Sequence, residues 1–142
     1  MRLGGRATKR GTKGGGCFKQ QKSICCMFKF KLGKKDHRGV RYSCRFGNQK
    51  WLLITIKQGK YRGGHAHNFE QVHLLLSGKL AIFTQKGKTK RKIVLLPGGV
   101  YRAKKGEFHL FKALQGCIFI EPAYREKATL HPTWRKRVEK DK

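Results

Sequence analysis

Five side chains that can bind a metal ion or assist proton transfer lie in two short stretches of the sequence. The first stretch contains His65 and His67, followed at the same parity by Gln71 and His73, and the second contains His109. Side chains of an extended strand alternate between its faces, so His65 and His67 are expected to direct both imidazoles at one point. Imidazole is a shared ligand of Fe(II), Mn, Ni and Zn, and it is also a general acid or base near neutral pH. The spacing therefore predicts a metal site or a proton-transfer site.

The two stretches resemble the two sequence motifs of the cupin superfamily. Residues 63–78 present a glycine, the His-x-His pair, a glutamine and a closing glycine, and residues 97–111 present a Pro-Gly turn that leads to Gly106 and the single His109. The resemblance extends over residues 51–122 and implies an all-β, cupin-like jelly-roll barrel. It also implies a metal site formed by His65, His67, Gln71 and His109, with Gln71 where most members of the superfamily carry a glutamate.

Two alternatives for this cluster are left open. In the first, a divalent transition metal (Fe, Mn, Ni or Zn) binds to the three histidines and Gln71 and keeps an open position for a substrate. In the second, the barrel holds no metal and the histidines bond to one another or to Gln71, because no carboxylate ligand offsets the positive surroundings. His73 either points into the barrel or bonds to the backbone, and His37 and His131 are assigned to loops.

Short strands must position these residues. Apolar and polar residues alternate and glycine turns intervene, a pattern typical of a β-sandwich or barrel. The predicted strands are residues 23–32 (with Phe28, Phe30 and Leu32 inward), 40–46, 51–57, 71–76, 79–85, 93–96, 110–114 and 117–121, with a turn at 33–39. The chain then divides into a basic, glycine-rich arm (1–22), the barrel (23–122) and a basic tail (123–142) that forms a short helix or a second arm.

The net charge of the chain is its most unusual property. The 142 residues include 35 Lys or Arg and only 7 Asp or Glu, for a formal charge of +28. Such a domain repels itself unless an anionic partner neutralises it, and nucleic acid is the commonest partner of this kind. The basic residues occur in every segment, including a predicted hairpin tip at 86–92. We therefore expect RNA contacts from Arg2, Arg6, Lys9, Arg10, Lys13, Lys86, Lys88, Lys90, Arg91, Lys92, Arg135, Lys136 and Arg137.

Two classes of function compete. The amount of charge favours a non-enzymatic RNA-binding structural protein, in which a cupin barrel and basic arms dock on phosphates of a large ribonucleoprotein such as a ribosome. The alternative is a small cupin enzyme, either metal-dependent or a sugar-nucleotide isomerase. Residues 62–67 are similar to the Arg-Gly-x-His-Ala-His stretch of cupin-fold sugar-nucleotide ketoisomerases, which implies that Arg62 grips a diphosphate and that His65 or His67 moves protons.

The sequence also predicts a compartment. No apolar run approaches the roughly 18 residues of a membrane span, and the N-terminal residues lack the apolar segment of a secretory signal. The five cysteines, an odd number, are expected to be reduced in the cytoplasm. Cys17, Cys25, Cys26 and Cys44 include no Cys-x-x-Cys spacing, which favours ordinary thiols over a zinc site, and Cys117 is assigned to the core. No feature of the sequence indicates the oligomeric state.

Overall fold

The computed structural model describes residues 29–125 and 127–140. Nine strands and one helix are present in these ranges. They are β1 (Lys31–Asp36), β2 (Gly39–Phe46), β3 (Gln49–Ile56), β4 (Tyr61–Ala66), β5 (Gln71–Lys86), β6 (Thr89–Leu95), β7 (Val100–Ala103), β8 (Phe108–Pro122), β9 (Thr129–Leu130) and α1 (Trp134–Lys140).

All strand pairs are antiparallel and belong to one curled sheet. The main path runs β1-β2-β3-β8-β4-β9, and β5 pairs with β6, β7 and β8. Strand β8 is therefore the centre of the fold, because β3, β4 and β5 all bond to it. The predicted all-β jelly-roll barrel is confirmed.

Strands β5 and β8 are longer than the sequence patterns predicted. Each was divided at a glycine, whereas the structure has one strand of 16 residues and one of 15 residues. Their pairing shifts register around Gly78, so the strands bend without separating. Gly78 has a φ of +83°, and a Cβ there would lie 2.2 Å from the carbonyl oxygen of Gly116. Glycine is thus required by the backbone conformation and by the close approach of β8.

The bend also changes which residues of β5 face inward. Before it, Gln71, His73 and Leu75 are buried; after it, Leu80 and Ile82 are buried. The inner face of β8 carries Phe111, Ala113, Cys117 and Phe119, which pack with Leu75, Leu80 and Ile82 in the core. The predicted core position of Cys117 is confirmed, since that residue is only 2% exposed.

The beginning of the described chain differs from the prediction. Strand β1 starts at Lys31, and its turn into β2 is confined to residues 37 and 38. Phe30 and Leu32 were expected to point inward, but they are 55% and 58% exposed because β1 is an edge strand of the sheet. The predicted arm, with Arg2, Arg6, Lys9, Arg10 and Lys13, lies outside the described residues, as do Cys17, Cys25, Cys26 and Phe28.

The C-terminal segment ends in the helix α1, which packs against β4 and buries Val138. His131 caps this helix: its Nδ1 accepts the backbone N–H groups of Thr133 (3.3 Å) and Trp134 (3.2 Å). Its ring stacks on that of Trp134. Of the two predicted alternatives for the tail, the helix is thus the one observed over 134–140. The described part of the chain contains no helix with the length and apolarity needed to cross a membrane.

Candidate metal centre and cavity

Strands β4 and β8 bring the two sequence motifs together. His65 and His109 are direct cross-strand partners in the β4–β8 ladder. The ladder shifts register between Gly63 and His65, and Gly63 has a φ of +85°, with a Cβ position only 2.9 Å from the carbonyl oxygen of His109. The Gly106 N–H donates to the carbonyl oxygen of His67 at 2.8 Å. The glycines of both motifs thus set the approach of their histidines.

The three histidines form a compact cluster. One ring nitrogen from each of His65, His67 and His109 lies within 4.8 Å of the others. The ring centroids are 4.7 Å apart for His65 and His67, and 4.9 Å apart for His65 and His109. His67 and His109 are buried, and His65 is half-buried. The expectation that all three imidazoles converge is confirmed.

The protonation of the cluster suits metal ligation. Burial, together with the charges of the neighbouring histidines and Arg135, lowers the pKa of His65 to about 4. Burial also lowers the pKa of His109 well below its ordinary value. Both imidazoles are therefore neutral near pH 7, which is the state that binds a metal ion.

Several buried polar atoms beside the cluster lack hydrogen-bond partners in the described part of the chain. Two of them are Nε2 of His109 and Oε1 of Gln71, in side chains that are only 1% and 3% exposed. Nδ1 of His109 lies 3.4 Å from the carbonyl oxygen of Glu107, so the ring's other nitrogen is the one available to a ligand. Gln71 also hydrogen-bonds to Tyr124, whose pKa burial raises to about 12. Unsatisfied buried acceptors of these types fit a divalent transition metal.

His73 has a partner that the sequence analysis did not identify. Its Nδ1 lies 2.8 Å from Oε2 of Glu121, and both side chains are almost fully buried. The ring is not aligned for a straight hydrogen bond, so the contact is a close approach of the imidazole to the carboxyl group. His73 therefore points into the barrel, as one of the two alternatives stated, and neither of its ring nitrogens bonds to the backbone of residues 29–125 or 127–140. The parity of β8 was the available signal, since Glu121 shares its buried face with His109.

A cavity of about 320 Å³ opens beside the histidines. Its wall includes His65, His73, His109 and Glu121, together with the apolar side chains of Leu52, Ile54, Phe111 and Phe119. Five cationic residues complete it: Lys34, Arg38, Arg41, Arg62 and Arg135. The cavity is therefore part apolar and strongly positive.

Asp36 organises two of these cations from behind the wall. It accepts Arg38 Nη2 at 2.6 Å and Arg62 Nη2 at 3.4 Å. Burial opposes ionisation of Asp36, but the Arg38 hydrogen bonds and the charges of Arg62 and Arg38 outweigh it and lower the pKa to about 2. The Arg62 Nε also donates to the carbonyl oxygen of Thr55 at 3.3 Å. Both guanidinium groups are consequently held in place at the cavity.

The residues predicted to contact RNA fall into two different environments. Lys86, Lys88, Lys90, Arg91 and Lys92 are exposed on the β5–β6 hairpin, which we call the basic tip. On α1, Lys136 and Arg137 are also exposed. Arg135 differs, because it lines the cavity and its Nε donates to Oε1 of Glu139 at 2.8 Å. The basic tip and the histidine cluster are thus separate features.

Solved structures similar to this one are cupin-fold proteins. CapF, a capsular polysaccharide assembling protein from Staphylococcus aureus, matches 70% of this chain and 29% of its own length, at 18% identity and a TM-score of 0.57. Hydroxypropylphosphonic acid epoxidase from S. wedmorenis matches 68% of this chain and 56% of its own, at 12% identity and a TM-score of 0.54. The Drosophila melanogaster CENP-C cupin domain matches 67% of this chain and 76% of its own, at 12% identity and a TM-score of 0.56. The chain therefore has the cupin fold.

These similarities concern the fold alone. This chain aligns with less than a third of CapF, and identities of 12–18% do not carry activity across. No protein-family model and no curated protein sequence matches the chain.

Proposed function

We propose that this protein is a metal-dependent cupin that acts on a small molecule in the barrel cavity. His65, His67 and His109 would bind a divalent transition metal such as Fe, Mn, Ni or Zn, and Gln71 would supply a fourth ligand through Oε1. The observation that carries the proposal is the approach of three imidazole nitrogens to within 4.8 Å, with Nε2 of His109 buried and without a hydrogen-bond partner among the described residues. Metal ions of this type polarise a bound oxygen atom when present.

The remaining residues of the cavity have distinct roles in this proposal. Phe111, Phe119 and Ile54 restrict water, which strengthens electrostatic interactions with a bound ligand. His73 and Glu121 lie in the same wall and would hold a proton next to the substrate. The structural comparisons add support, because one similar structure is that of an iron(II)-bound protein, Fe(II)-HppE. It matches this chain at 13% identity and a TM-score of 0.50.

Metal content provides the first test. The purified protein is dialysed with each divalent metal, and bound metal is then measured by inductively coupled plasma mass spectrometry. We expect one equivalent in the wild type and none in the His65→Ala/His109→Ala double variant. His37→Ala is the matched control, because His37 lies in the β1–β2 turn and does not line the cavity. Equal metal content in the wild type and the double variant would refute the proposal.

The same cluster without a metal is the form that a sugar-nucleotide isomerase would use, with His65 or His67 as the acid or base. In that case activity on a dTDP-4-keto sugar should survive chelation and be lost in His65→Ala. Arg62, expected to grip the diphosphate, does line the cavity, but its Nε and Nη2 already engage Thr55 and Asp36. This arrangement favours the metal-dependent proposal.

RNA binding is a second proposed function, and the basic tip is the observation that favours it. Its five cationic side chains are all exposed, so they can reach a phosphate backbone. The test is a mobility shift with structured RNA, comparing a variant in which Lys86, Lys88, Lys90, Arg91 and Lys92 are changed to Gln with a charge-matched control. The control changes Lys31, Lys35, Arg45, Lys50 and Lys57 to Gln, all exposed elsewhere. Selective loss in the first variant would support the proposal, and equal loss would contradict it.

A further inference from the structure

We infer that the cavity binds a small organic dianion, meaning a compact molecule with two carboxylate charges or one phosphate group. This inference names the substrate class for the proposed function. It rests on that function only for the role of the ligand as a substrate. Anion binding itself requires no metal, so the two can be tested separately.

Cations from four different elements converge on this one cavity. Lys34 belongs to β1, Arg38 and Arg41 to the turn and strand that follow, Arg62 to β4, and Arg135 to α1. Residues so far apart in sequence meet only because β1, β2, β4 and α1 surround the same opening. A high content of Lys and Arg makes a surface basic, but by itself it does not bring cations from four elements to one cavity.

The carboxylates nearby are too few to balance these cations. Asp36 is shared between Arg38 and Arg62, and it lies closer to Arg38. Glu121, the acidic residue in the wall, faces His73 at 2.8 Å. Lys34 and Arg41 have no ion pair within the described residues. An excess of positive charge is therefore left inside a partly enclosed space.

Burial makes this excess costly unless a ligand shares it. The side chains of Arg38 and Arg62 are only 15% and 14% exposed, so water solvates them poorly. Burial lowers the pKa of Arg62, and the charges of Arg38 and Arg41 act in the same direction. A carboxylate or phosphate can accept hydrogen bonds from the guanidinium N–H groups that Asp36 and Thr55 leave free, and its charge offsets the repulsion between the arginines.

The size and lining of the cavity limit the ligand further. A volume of about 320 Å³ is at the small end of the range for ligand sites, and a polynucleotide cannot enter it. Leu52, Ile54, Phe111 and Phe119 form an apolar part of the wall, which suits a short carbon skeleton. The ligand that fits is thus a small organic acid and not a polymer.

The experiment is isothermal titration calorimetry of the full-length protein in two forms. One form has been stripped of metal by a chelator, and the other has been stripped and then loaded with zinc. The probes are malonate and glycerol phosphate, and their neutral counterparts are malonamide and glycerol. We expect both dianions to bind the metal-free protein and neither neutral compound to do so. Arg62→Gln and Arg41→Gln should each weaken binding by about tenfold, as expected for loss of one charge-assisted contact. If Arg62→Gln does not fold, Arg41→Gln still tests the inference, because Arg41 lines the cavity but is exposed and its substitution should not affect folding.

Arg45→Gln is the matched control, because it removes the same charge from the same strand at an exposed position that does not line the cavity. Binding within about twofold of wild type is expected for Arg45→Gln, and equal weakening in Arg41→Gln and Arg45→Gln would overturn the inference. Failure of both dianions to bind would also overturn the inference. In that case, a short RNA that binds the wild type but not Arg41→Gln would show that these cations bind RNA. Dianion binding in a wild type that takes up no metal would support this inference and reject the proposed metal function.

Discussion

The cavity and the basic tip each carry five cationic residues, but only the cavity holds some of them, Arg38 and Arg62, largely away from water. At the tip, all five residues are exposed on a two-stranded hairpin. In the cavity, Arg38 and Arg62 are largely buried, and Asp36 holds both of them. The same residue types are therefore suited to different ligands: an extended polyanion at the tip and a small anion in the cavity.

The physical reason is the dielectric environment. Exposed charges are screened by salt over about 8 Å at physiological ionic strength, so each contributes little and many must act together. Partly buried charges are screened much less and interact more strongly with a ligand that displaces water. Charge count alone, which led the sequence analysis to favour RNA binding, does not distinguish these situations.

The largest expected difference between the two regions is their salt dependence. Raising salt from about 50 to 200 mM should reduce RNA affinity by about a thousandfold if roughly six phosphates are contacted. Malonate affinity should fall by less than about tenfold, because the cavity is partly shielded from solvent. Fluorescence anisotropy for RNA and calorimetry for malonate would measure both. Parallel salt slopes would show that the two regions do not differ.

Gln71 allows the metal side of the cavity to be strengthened or weakened. Gln71→Glu should raise zinc affinity by about tenfold or more, because a carboxylate ligand adds negative charge next to the cation. Gln71→Leu should lower it, because Oε1 is lost. Competition with a chromophoric chelator measures both, and RNA binding serves as the unchanged control. Identical zinc affinities in all three proteins would exclude Gln71 as a ligand.

Asp36→Asn should loosen the cavity cations and remove a pH-dependent part of the stability. The pKa of Asp36 in the folded protein is about 2, below its ordinary value of 3.8, so its ionised form stabilises the fold at neutral pH. This contribution is present above about pH 4 and is lost as the pH falls towards 2. Allowing for solvent screening, we expect about 1 kcal/mol at neutral pH. Urea unfolding at pH 6 and pH 2.5 should show a clearly larger wild-type advantage at the higher pH, whereas an equal difference at both would contradict it.

The smallest effect is expected where the basic tip approaches the C-terminal segment. Burial lowers the pKa of His131, and the charge of Lys90 lowers it further. The neutral ring is the form that caps α1, so its stabilising contribution is present above the ordinary histidine pKa and declines as the pH falls below it. Lys90→Gln should raise the pKa of His131, as measured by NMR titration, with Lys88→Gln as the control. No difference between the two variants would show that the tip does not influence the cap.

Much of the fold could be predicted because its signals are local. Alternation identified β2, apolar runs between glycine turns identified β3 and the two halves of β8, and the spacing of His65, His67 and His109 identified the cluster that the structure assembles. The errors at Phe30 and Leu32 arose because alternation does not reveal which strand lies at a sheet edge. The division of β5 at Gly78 was wrong because a glycine marks a turn and a bulge equally well.

The sequence by itself determined the strand pattern, the glycine turns and the histidine spacing, since each depends on residues close together in the chain. Only the tertiary structure decided that Glu121 faces His73, that His65 pairs with His109 across two strands, and that Lys34, Arg38, Arg41, Arg62 and Arg135 line one cavity. Those contacts depend on strand register and on the curl of the sheet. They join residues that are far apart in the sequence, and their separation in sequence does not predict their distance in space. For a chain with a charge of +28, the position of the cations relative to water determines what each group of them can bind.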